Sequence, residues 1–235
     1  DAPFHEFMDV SHPDSEHNPM LGTRGVRLAL LRHELYRMQA RSITKAVSEL
    51  VEEGGEPSVS IMIPLVVDRK ELGIIRSWVE EEMTETAKTY NLKNLPQIGT
   101  MIETPRAALS AAEIAKEADF FSFGTNDLTQ MVFGFSRDDI EKEVMDKYLE
   151  LGVLSHNPFK VLDEAAVAPL IAAATRAARI SQPGIEVGVC GEHGGDPVSI
   201  ALLVKAGVDY VSCSPFRIPV ARLATAQALI AQDKN

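Results

Sequence analysis

Two carboxylates stand where an apolar segment ends, and they are the residues best suited to chemistry. Glu103 ends the run QIGTMIE, and Asp127 lies three residues beyond the run DFFSFG. Two carboxylates from neighbouring strand ends, completed by water and substrate oxygens, suit the octahedral coordination of Mg²⁺. The alternative is structural: Glu103 would pair with Arg106. Asp127 and Asn126 would then cap the helix that follows them.

A thiol occupies a comparable point further along the chain. Cys190 ends the run IEVGVC and precedes Gly-Glu-His-Gly-Gly. Glycines allow backbone to approach a ligand closely, and a thiol beside a ligand can donate or accept a proton. The alternative is that Cys190 is a small buried apolar residue, as we expect for Cys213. His193, the only one of the six histidines inside such a motif, would have the structural role of orienting this loop.

Two arginines are candidates for holding an anion. Arg24 in GTRG precedes a helical pattern, and Arg137 in FSRDD lies ten residues beyond Asp127. The planar fork of a guanidinium group can hold a phosphate through two hydrogen bonds. A surface salt bridge is the alternative for each arginine.

Alternating strands and helices must position these residues. Short apolar runs predict five strands, at 58–67, 97–103, 119–124, 185–190 and 209–213. Helical periodicity predicts helices at 23–53, 68–90, 105–118, 163–180, 196–207 and 219–232, with further helical segments between 127 and 151. Strands that alternate with helices predict a parallel sheet, in which the carboxyl ends of the strands share one edge. Glu103, Asp127 and Cys190 should meet at that edge.

The expected fold class is α/β, either a doubly wound sheet or a (β/α)₈ TIM-type barrel. A barrel has eight strands and usually roughly 250 residues, whereas this chain has 235 residues and five predicted strands. If the fold is a barrel, its first strands are missing from this chain. With 45% hydrophobic residues, a single domain over residues 1–235 is the expected organisation.

Composition excludes some classes of function. The chain has 34 acidic and 23 basic residues, and a net charge of −11 argues against binding to nucleic acid. No apolar run reaches the roughly 18 residues of a membrane span, and the irregular first twenty residues show no signal-peptide pattern. Two cysteines without metal-site spacing favour a reducing compartment, so we expect a protein without membrane contact in the cytoplasm, with an organelle as the open alternative.

Five segments resemble one known family. The runs NPMLGTRGVRL, IGTMIETPRAAL, FFSFGTNDLTQMVFGFSRDD, GVCGEHGGDP and YVSCSPFRIPVARLATAQ are similar to the C-terminal domain of the pyruvate phosphate dikinase family. That family belongs to the phosphoenolpyruvate-utilising enzymes, and the resemblance covers nearly the whole chain. It implies the (β/α)₈ barrel rather than the doubly wound sheet.

The resemblance also implies roles for individual residues. Glu103 and Asp127 would hold Mg²⁺, and Arg24 and Arg137 would hold the phosphoryl group of the substrate.

The remaining implied roles concern the substrate itself. Asn126 and the backbone around Gly124 and Thr125 would contact it, and Cys190 would be the general acid and base at its methyl carbon.

The implied function is the interconversion of pyruvate and phosphoenolpyruvate through a magnesium-stabilised enolate. In the whole enzyme, pyruvate, ATP and phosphate give phosphoenolpyruvate, AMP and diphosphate, and a phosphohistidine on a separate domain carries the phosphoryl group. No histidine here lies in the Thr-Ser-His-type motif of that carrier, and the nucleotide-binding domain is also absent from the sequence. We therefore predict that this chain alone does not complete the reaction. The family implies a homodimer.

Three alternatives remain open at the level of sequence. One is another phosphoenolpyruvate-utilising phosphotransferase, such as phosphoenolpyruvate synthase or enzyme I of the sugar phosphotransferase system. The second is a self-contained magnesium-enolate lyase or aldolase, which would need eight strands. The third is a non-catalytic dimerisation fragment.

Overall fold

The structure is a computed structural model that describes residues 18–232. The predicted irregular N-terminal segment, with His5, His12 and His17, falls almost wholly outside the described residues and stays a prediction. Within 18–232, no helix is long and apolar enough to cross a membrane. Both cysteines are free thiols.

All five predicted strands form, and they build one parallel sheet. Their order in the sheet is their order in the sequence, so each strand pairs with the next one along the chain. The strands are β1 (Ser60–Ile63), β2 (Gln97–Ile102), β3 (Phe120–Gly124), β4 (Glu186–Cys190) and β5 (Tyr210–Val211). The α/β class is therefore confirmed.

Helices follow every strand, as the periodicity predicts. The α-helices are α1 (Val26–Leu31), α2 (His33–Glu52), α3 (Arg69–Tyr90), α4 (Pro105–Leu109), α5 (Ala111–Ile114), α6 (Thr125–Phe133), α7 (Arg137–Glu143), α8 (Met145–Glu150), α9 (Val167–Ser181), α10 (Pro197–Ala206) and α11 (Ile218–Gln232). Short 3-10 helices lie at Ala115–Glu117, Glu192–Gly195 and Pro215–Arg217.

Two predicted helices are interrupted. The helix predicted over 23–53 breaks at Arg32, whose φ of −135° and ψ of 63° separate α1 from α2. The helix predicted over 105–118 breaks at Ser110 between α4 and α5. In both cases the apolar pattern continues across the break, so periodicity alone gives no sign of it.

The first strand is shorter than predicted. Proline at position 64 has no N–H for the strand ladder, and Leu65 adopts a φ of 59°, so β1 ends at Ile63. The predicted strand over 58–67 therefore becomes a four-residue strand followed by a bent, buried segment. That segment lies at the same edge of the sheet as the candidate site.

The hydrophobic core lies on both faces of the sheet. Every residue of β3 is buried, including Phe121 and Phe123, as expected for a central strand covered by helices on both sides. Neighbouring side chains from β2, β4 and α9 complete the same cluster.

The sheet is open between residues 18 and 232. β1 and β5 each pair with one neighbour, so the strands described do not close a barrel. The TIM-type barrel lacking its first strands consequently remains a prediction.

Candidate active site

Strand register brings three of the predicted residues to one level of the sheet. Phe123 of β3 pairs with Ile102 of β2, and Gly124 pairs with Cys190 of β4. Glu103 directly follows Ile102, so Glu103, Gly124 and Cys190 lie side by side at the carboxyl edge. The predicted meeting of polar residues at this edge is confirmed.

Glu103 is buried, with only 2% of its surface exposed. Its Oε1 accepts a hydrogen bond of 2.7 Å from the backbone N–H of Leu65. Burial, followed by the negative charge of Asp127, raises the pKa of Glu103 from 4.5 to about 7. A buried carboxyl beside a second carboxyl is electrostatically unfavourable unless a proton or a cation compensates the charge.

Leu65 supports Glu103 through its backbone N–H, a role that the sequence alone did not predict. It is fully buried and holds a φ of 59°, a left-handed conformation that costs a branched side chain about 1–2 kcal/mol. That conformation ends the strand and accompanies the N–H bond to Glu103. The available signal was Pro64, because a proline inside an apolar run marks the end of strand pairing.

Asp127 lies in the first turn of α6 and contacts Arg24. Its Oδ2 is 3.5 Å from Nη2 of Arg24, and both side chains are largely buried, at 13% and 9% exposure. The N–H of Val26 donates to the carbonyl of Pro64 at 3.1 Å, which ties the segment that carries Arg24 to the end of β1. A residue 103 positions before Asp127 thus reaches the same site.

The contacts expected from the structural alternative for the two carboxylates do not form. Arg106 bonds the carbonyl of Val67 and the carboxylate of Asp68, not Glu103. The residue at the N-cap of α6 is Gly124, with no side-chain cap. Asp127 and Asn126 therefore lie inside the first turn rather than capping it.

Gly124 leaves the space that Glu103 occupies. A Cβ atom built on Gly124 would lie 2.5 Å from Oε2 and 2.8 Å from Cβ of Glu103. Its φ is −84°, so the requirement for glycine here is close approach and not backbone conformation.

Cys190 is half-buried, and its Sγ lies 3.7 Å from the carbonyl oxygen of Phe123. Burial raises the pKa of the Cys190 thiol above its ordinary value, and the charges of Glu103 and Asp127 raise it further, against a lowering contribution from Ser122. This environment therefore favours the protonated thiol of Cys190 over the thiolate. Cys213, by contrast, packs against the small apolar cluster between α10 and α11, as expected.

The residues after β3 are tied to the loop after β4. Thr125 is fully buried, and its Oγ1 lies 3.1 Å from the carbonyl oxygen of Cys190 and 2.8 Å from Nδ1 of His193. Oδ1 of Asn126 accepts a longer bond of 3.4 Å from the N–H of Glu192. The role of His193 in orienting this loop is supported by these contacts.

Arg137 forms the salt bridge that was its structural alternative. Its Nη2 lies 2.9 Å from both carboxylate oxygens of Glu192, and its Nε lies 3.2 Å from Glu141. The guanidinium carbon is 5.7 Å from the centre of the Phe159 ring. Arg137 is thereby held against the loop that follows Cys190.

The donor set suits a cation that brings its own water ligands. Among residues 18–232, no group of three or more His, Cys, Asp or Glu side chains is placed to hold a metal ion. Glu103 and Asp127 offer two carboxylates, and Mg²⁺ commonly binds through one or two carboxylates with water and substrate oxygens completing its shell. Burial and the neighbouring charge of Asp127 both raise the pKa of Glu103, and a bound cation would favour its ionised form against both.

Comparison with known proteins identifies the family of this chain. A family profile described as "PEP-utilising enzyme, PEP-binding domain" matches residues 1–230. "Pyruvate, phosphate dikinase 1, chloroplastic" of rice is 47% identical over 98% of this chain and 27% of its own length. The Arabidopsis enzyme of the same name is 52% identical over 92% and 22%, and "Pyruvate, phosphate dikinase 2" of maize is 52% identical over 92% and 24%. The chain spans about a quarter of the length of these relatives.

A solved structure supports the fold. A citrate lyase from Burkholderia xenovorans superimposes with a TM-score of 0.53 over 84% of this chain and 59% of its own, at 15% identity. At that identity the likeness concerns the fold alone. The family profile and the relatives together show that the chain belongs to the PEP-utilising enzymes and contains their PEP-binding domain.

Proposed function

We propose that this chain binds phosphoenolpyruvate and pyruvate at the carboxyl edge of its sheet and supports their interconversion. A phosphohistidine on a separate domain of the same enzyme would exchange the phosphoryl group, and the whole enzyme would couple this to ATP and phosphate, as in a pyruvate, phosphate dikinase. The observation that carries the proposal is the meeting of Glu103, Asp127 and Cys190 at one edge. The chain alone would not complete the overall reaction.

Glu103 and Asp127 would hold Mg²⁺ in this proposal. When bound, magnesium would supply positive charge that stabilises negative charge on the carboxylate and carbonyl oxygens of the substrate. The two side chains lie close enough to raise the pKa of Glu103, and the backbone N–H of Leu65 fixes the orientation of Glu103.

Two arginines would bind the phosphoryl group. Arg24 lies 3.5 Å from Asp127, so a phosphoryl oxygen beside the carboxylates would also be near a guanidinium group. Arg137 would exchange part of its pairing with Glu192 for the phosphoryl group. Asn126 and the backbone at Gly124 and Thr125 would complete the substrate contacts.

Cys190 would move the proton at the substrate's methyl carbon. Its raised pKa keeps the thiol protonated, which suits a general acid. Once the phosphoryl group leaves phosphoenolpyruvate, the enolate carbon would take the thiol proton, giving pyruvate and a thiolate. In the opposite direction the thiolate would remove a methyl proton, and the enolate oxygen would then attack the phosphohistidine.

Calorimetric titration with oxalate, a planar mimic of the enolate of pyruvate, tests the proposal. We expect binding that depends on Mg²⁺ and is lost in Asp127→Asn. Glu85→Gln, at an exposed acidic position on α3, is the matched control and should bind as the unaltered chain does. Oxalate binding that is indifferent to magnesium or to the Asp127 substitution would contradict the assignment of the carboxylates.

The names of the relatives favour the dikinase over phosphoenolpyruvate synthase or enzyme I of the sugar phosphotransferase system. We further propose a homodimer, since α11 exposes the apolar side chains Leu223, Leu229 and Ile230. Sedimentation analysis tests the dimer. The rice and Arabidopsis relatives are named chloroplastic, so both a plastid and the predicted cytoplasm are proposed locations.

A further inference from the structure

His193 is a fully buried histidine with an oxygen atom at each ring nitrogen. Nδ1 lies 2.8 Å from Oγ1 of Thr125, and Nε2 lies 2.9 Å from the carbonyl oxygen of Pro158. A buried polar ring with both nitrogens occupied is held in one orientation. The residue therefore joins the loop after β4 to the start of α6 and to the segment that precedes Phe159.

The proton count fixes the direction of these bonds. The carbonyl oxygen of Pro158 can only accept, so Nε2 of His193 carries the proton. Burial lowers the pKa of His193, which leaves the ring neutral and Nδ1 without a proton. Nδ1 then accepts from the hydroxyl of Thr125.

The hydroxyl of Thr125 has a second acceptor within reach. The carbonyl oxygen of Cys190 lies 3.1 Å from Oγ1, compared with 2.8 Å for Nδ1 of His193. One proton cannot serve both acceptors fully. Whether Nδ1 of His193 accepts it therefore decides how strongly the Thr125 hydroxyl bonds to the carbonyl oxygen of Cys190 at the end of β4. A Cβ atom on Gly191 would lie 2.6 Å from the same Oγ1, so this junction has no room for adjustment.

We propose that His193 is a positioning residue that orients Thr125 and thereby sets the end of β4, with Cys190, against the start of α6, with Asp127. The inference rests on the proposed function, because it assigns His193 to the same site. His193 does not touch the substrate in this account. It acts through the hydroxyl of Thr125.

Two substitutions separate the two bonds of the ring. The side-chain amide of Asn reaches the position of Nδ1, and that of Gln reaches the position of Nε2. His193→Asn therefore keeps a partner for Thr125 and loses Pro158, whereas His193→Gln keeps Pro158 and loses Thr125. A merely structural role for His193 predicts similar losses in both variants, seen in thermal stability alone.

Magnesium-dependent oxalate binding is the first measurement. We expect His193→Gln to weaken binding by about tenfold, the loss of roughly one hydrogen bond's contribution, and His193→Asn to recover most of that loss. Equal weakening in both variants, or weakening only in His193→Asn, would overturn the proposal.

Alkylation of Cys190 by iodoacetamide gives a second measurement that needs neither magnesium nor substrate. In a Cys213→Ser background, the rate should change by about fivefold or more in His193→Gln and return toward the original value in His193→Asn. If the unaltered chain binds no oxalate, the proposed function fails on this chain while the alkylation rates still decide the role of His193. Unchanged rates in both variants would overturn it.

Two further tests follow, and the second needs no substitution at His193. In a Thr125→Val background, His193→Gln should add little to the change in alkylation rate, since the two residues act through one bond. Ring-nitrogen NMR of the unaltered chain should show His193 protonated at Nε2. Additive effects of Thr125→Val and His193→Gln on the alkylation rate would contradict the mechanism. A proton on Nδ1 of His193 would contradict it as well.

Discussion

The backbone N–H of Leu65 donates to Oε1 of Glu103 at 2.7 Å, across 38 residues of sequence. Leu65 makes this bond from a left-handed conformation, with a φ of 59°, and its side chain is fully buried. Strained backbone thus supports the orientation of a carboxylate at the candidate site. The cost of the strain and the benefit of the orientation are separable by mutation.

Substitution of Leu65 should reverse the ordinary order of alanine and glycine. Both Leu65→Ala and Leu65→Gly remove the buried side chain, which costs about 2–5 kcal/mol of unfolding free energy. Glycine is ordinarily the less stable of the two, but here it relieves the left-handed strain, so Leu65→Gly should be about 1 kcal/mol more stable than Leu65→Ala. Urea unfolding of both variants measures the difference, and alanine as the more stable residue would contradict the strain.

Replacement of Glu103 by glutamine should change how stability depends on pH. Glu103 has a pKa of about 7 in the folded chain and 4.5 ordinarily, so its proton stabilises the fold below pH 4.5. That contribution, roughly 3 kcal/mol, is lost as the pH rises from 4.5 to 7. Glu103→Gln keeps an acceptor for the N–H of Leu65 and removes this dependence.

Urea unfolding at pH 5 and pH 8, without magnesium, measures the Glu103 effect. We expect the difference in unfolding free energy between Glu103→Gln and the unaltered chain to favour the variant more at pH 8. Added Mg²⁺ should then stabilise the unaltered chain and not the variant. A difference between the two proteins that is the same at both pH values would count against the raised pKa.

Alanine at position 124 should displace Glu103. Its Cβ would lie 2.5 Å from Oε2 of Glu103, and overpacking of this kind costs about 1–3 kcal/mol. Gly73→Ala inside α3 is the control, because its Cβ would meet Glu117 at an ordinary 3.6 Å. Thermal unfolding and oxalate titration should show losses for Gly124→Ala only. Equal behaviour of the two alanine variants would show that Glu103 can move without cost.

His193 should make the fold sensitive to mild acid. Burial lowers the pKa of His193 from 6.5 in the folded chain. The stability that the neutral ring contributes is therefore fully present above pH 6.5 and is lost as the pH falls below that value. The negative charges of Glu192 and Asp196 raise the pKa of His193, and the positive charge of Arg137 lowers it.

Unfolding free energies at pH 7.5 and 5.5 measure the effect of His193. His193→Gln should flatten the loss between these pH values, whereas His33→Gln, at an exposed histidine, should leave it unchanged. A loss on acidification as large in His193→Gln as in the unaltered chain would assign the acid sensitivity to other groups.

The sequence determined the five strands, their parallel order and the edge at which polar residues gather. Apolar runs that alternate with helical periodicity require each strand to be covered on both faces, and parallel strands place their carboxyl ends together. Glu103, Asp127 and Cys190 could be identified as candidates because Glu103 and Cys190 end such runs and Asp127 lies three residues beyond one. The motifs around them also identified the family.

Only the tertiary structure decided how these residues are held. The bond from Leu65 to Glu103, the reach of Arg24 to Asp127 and the pairing of Arg137 with Glu192 join positions far apart in the sequence. Such contacts depend on strand register and on where strands and helices end, which local propensity does not specify. The raised pKa of Glu103 has the same origin, since burial and a neighbouring charge arise only when the chain is folded.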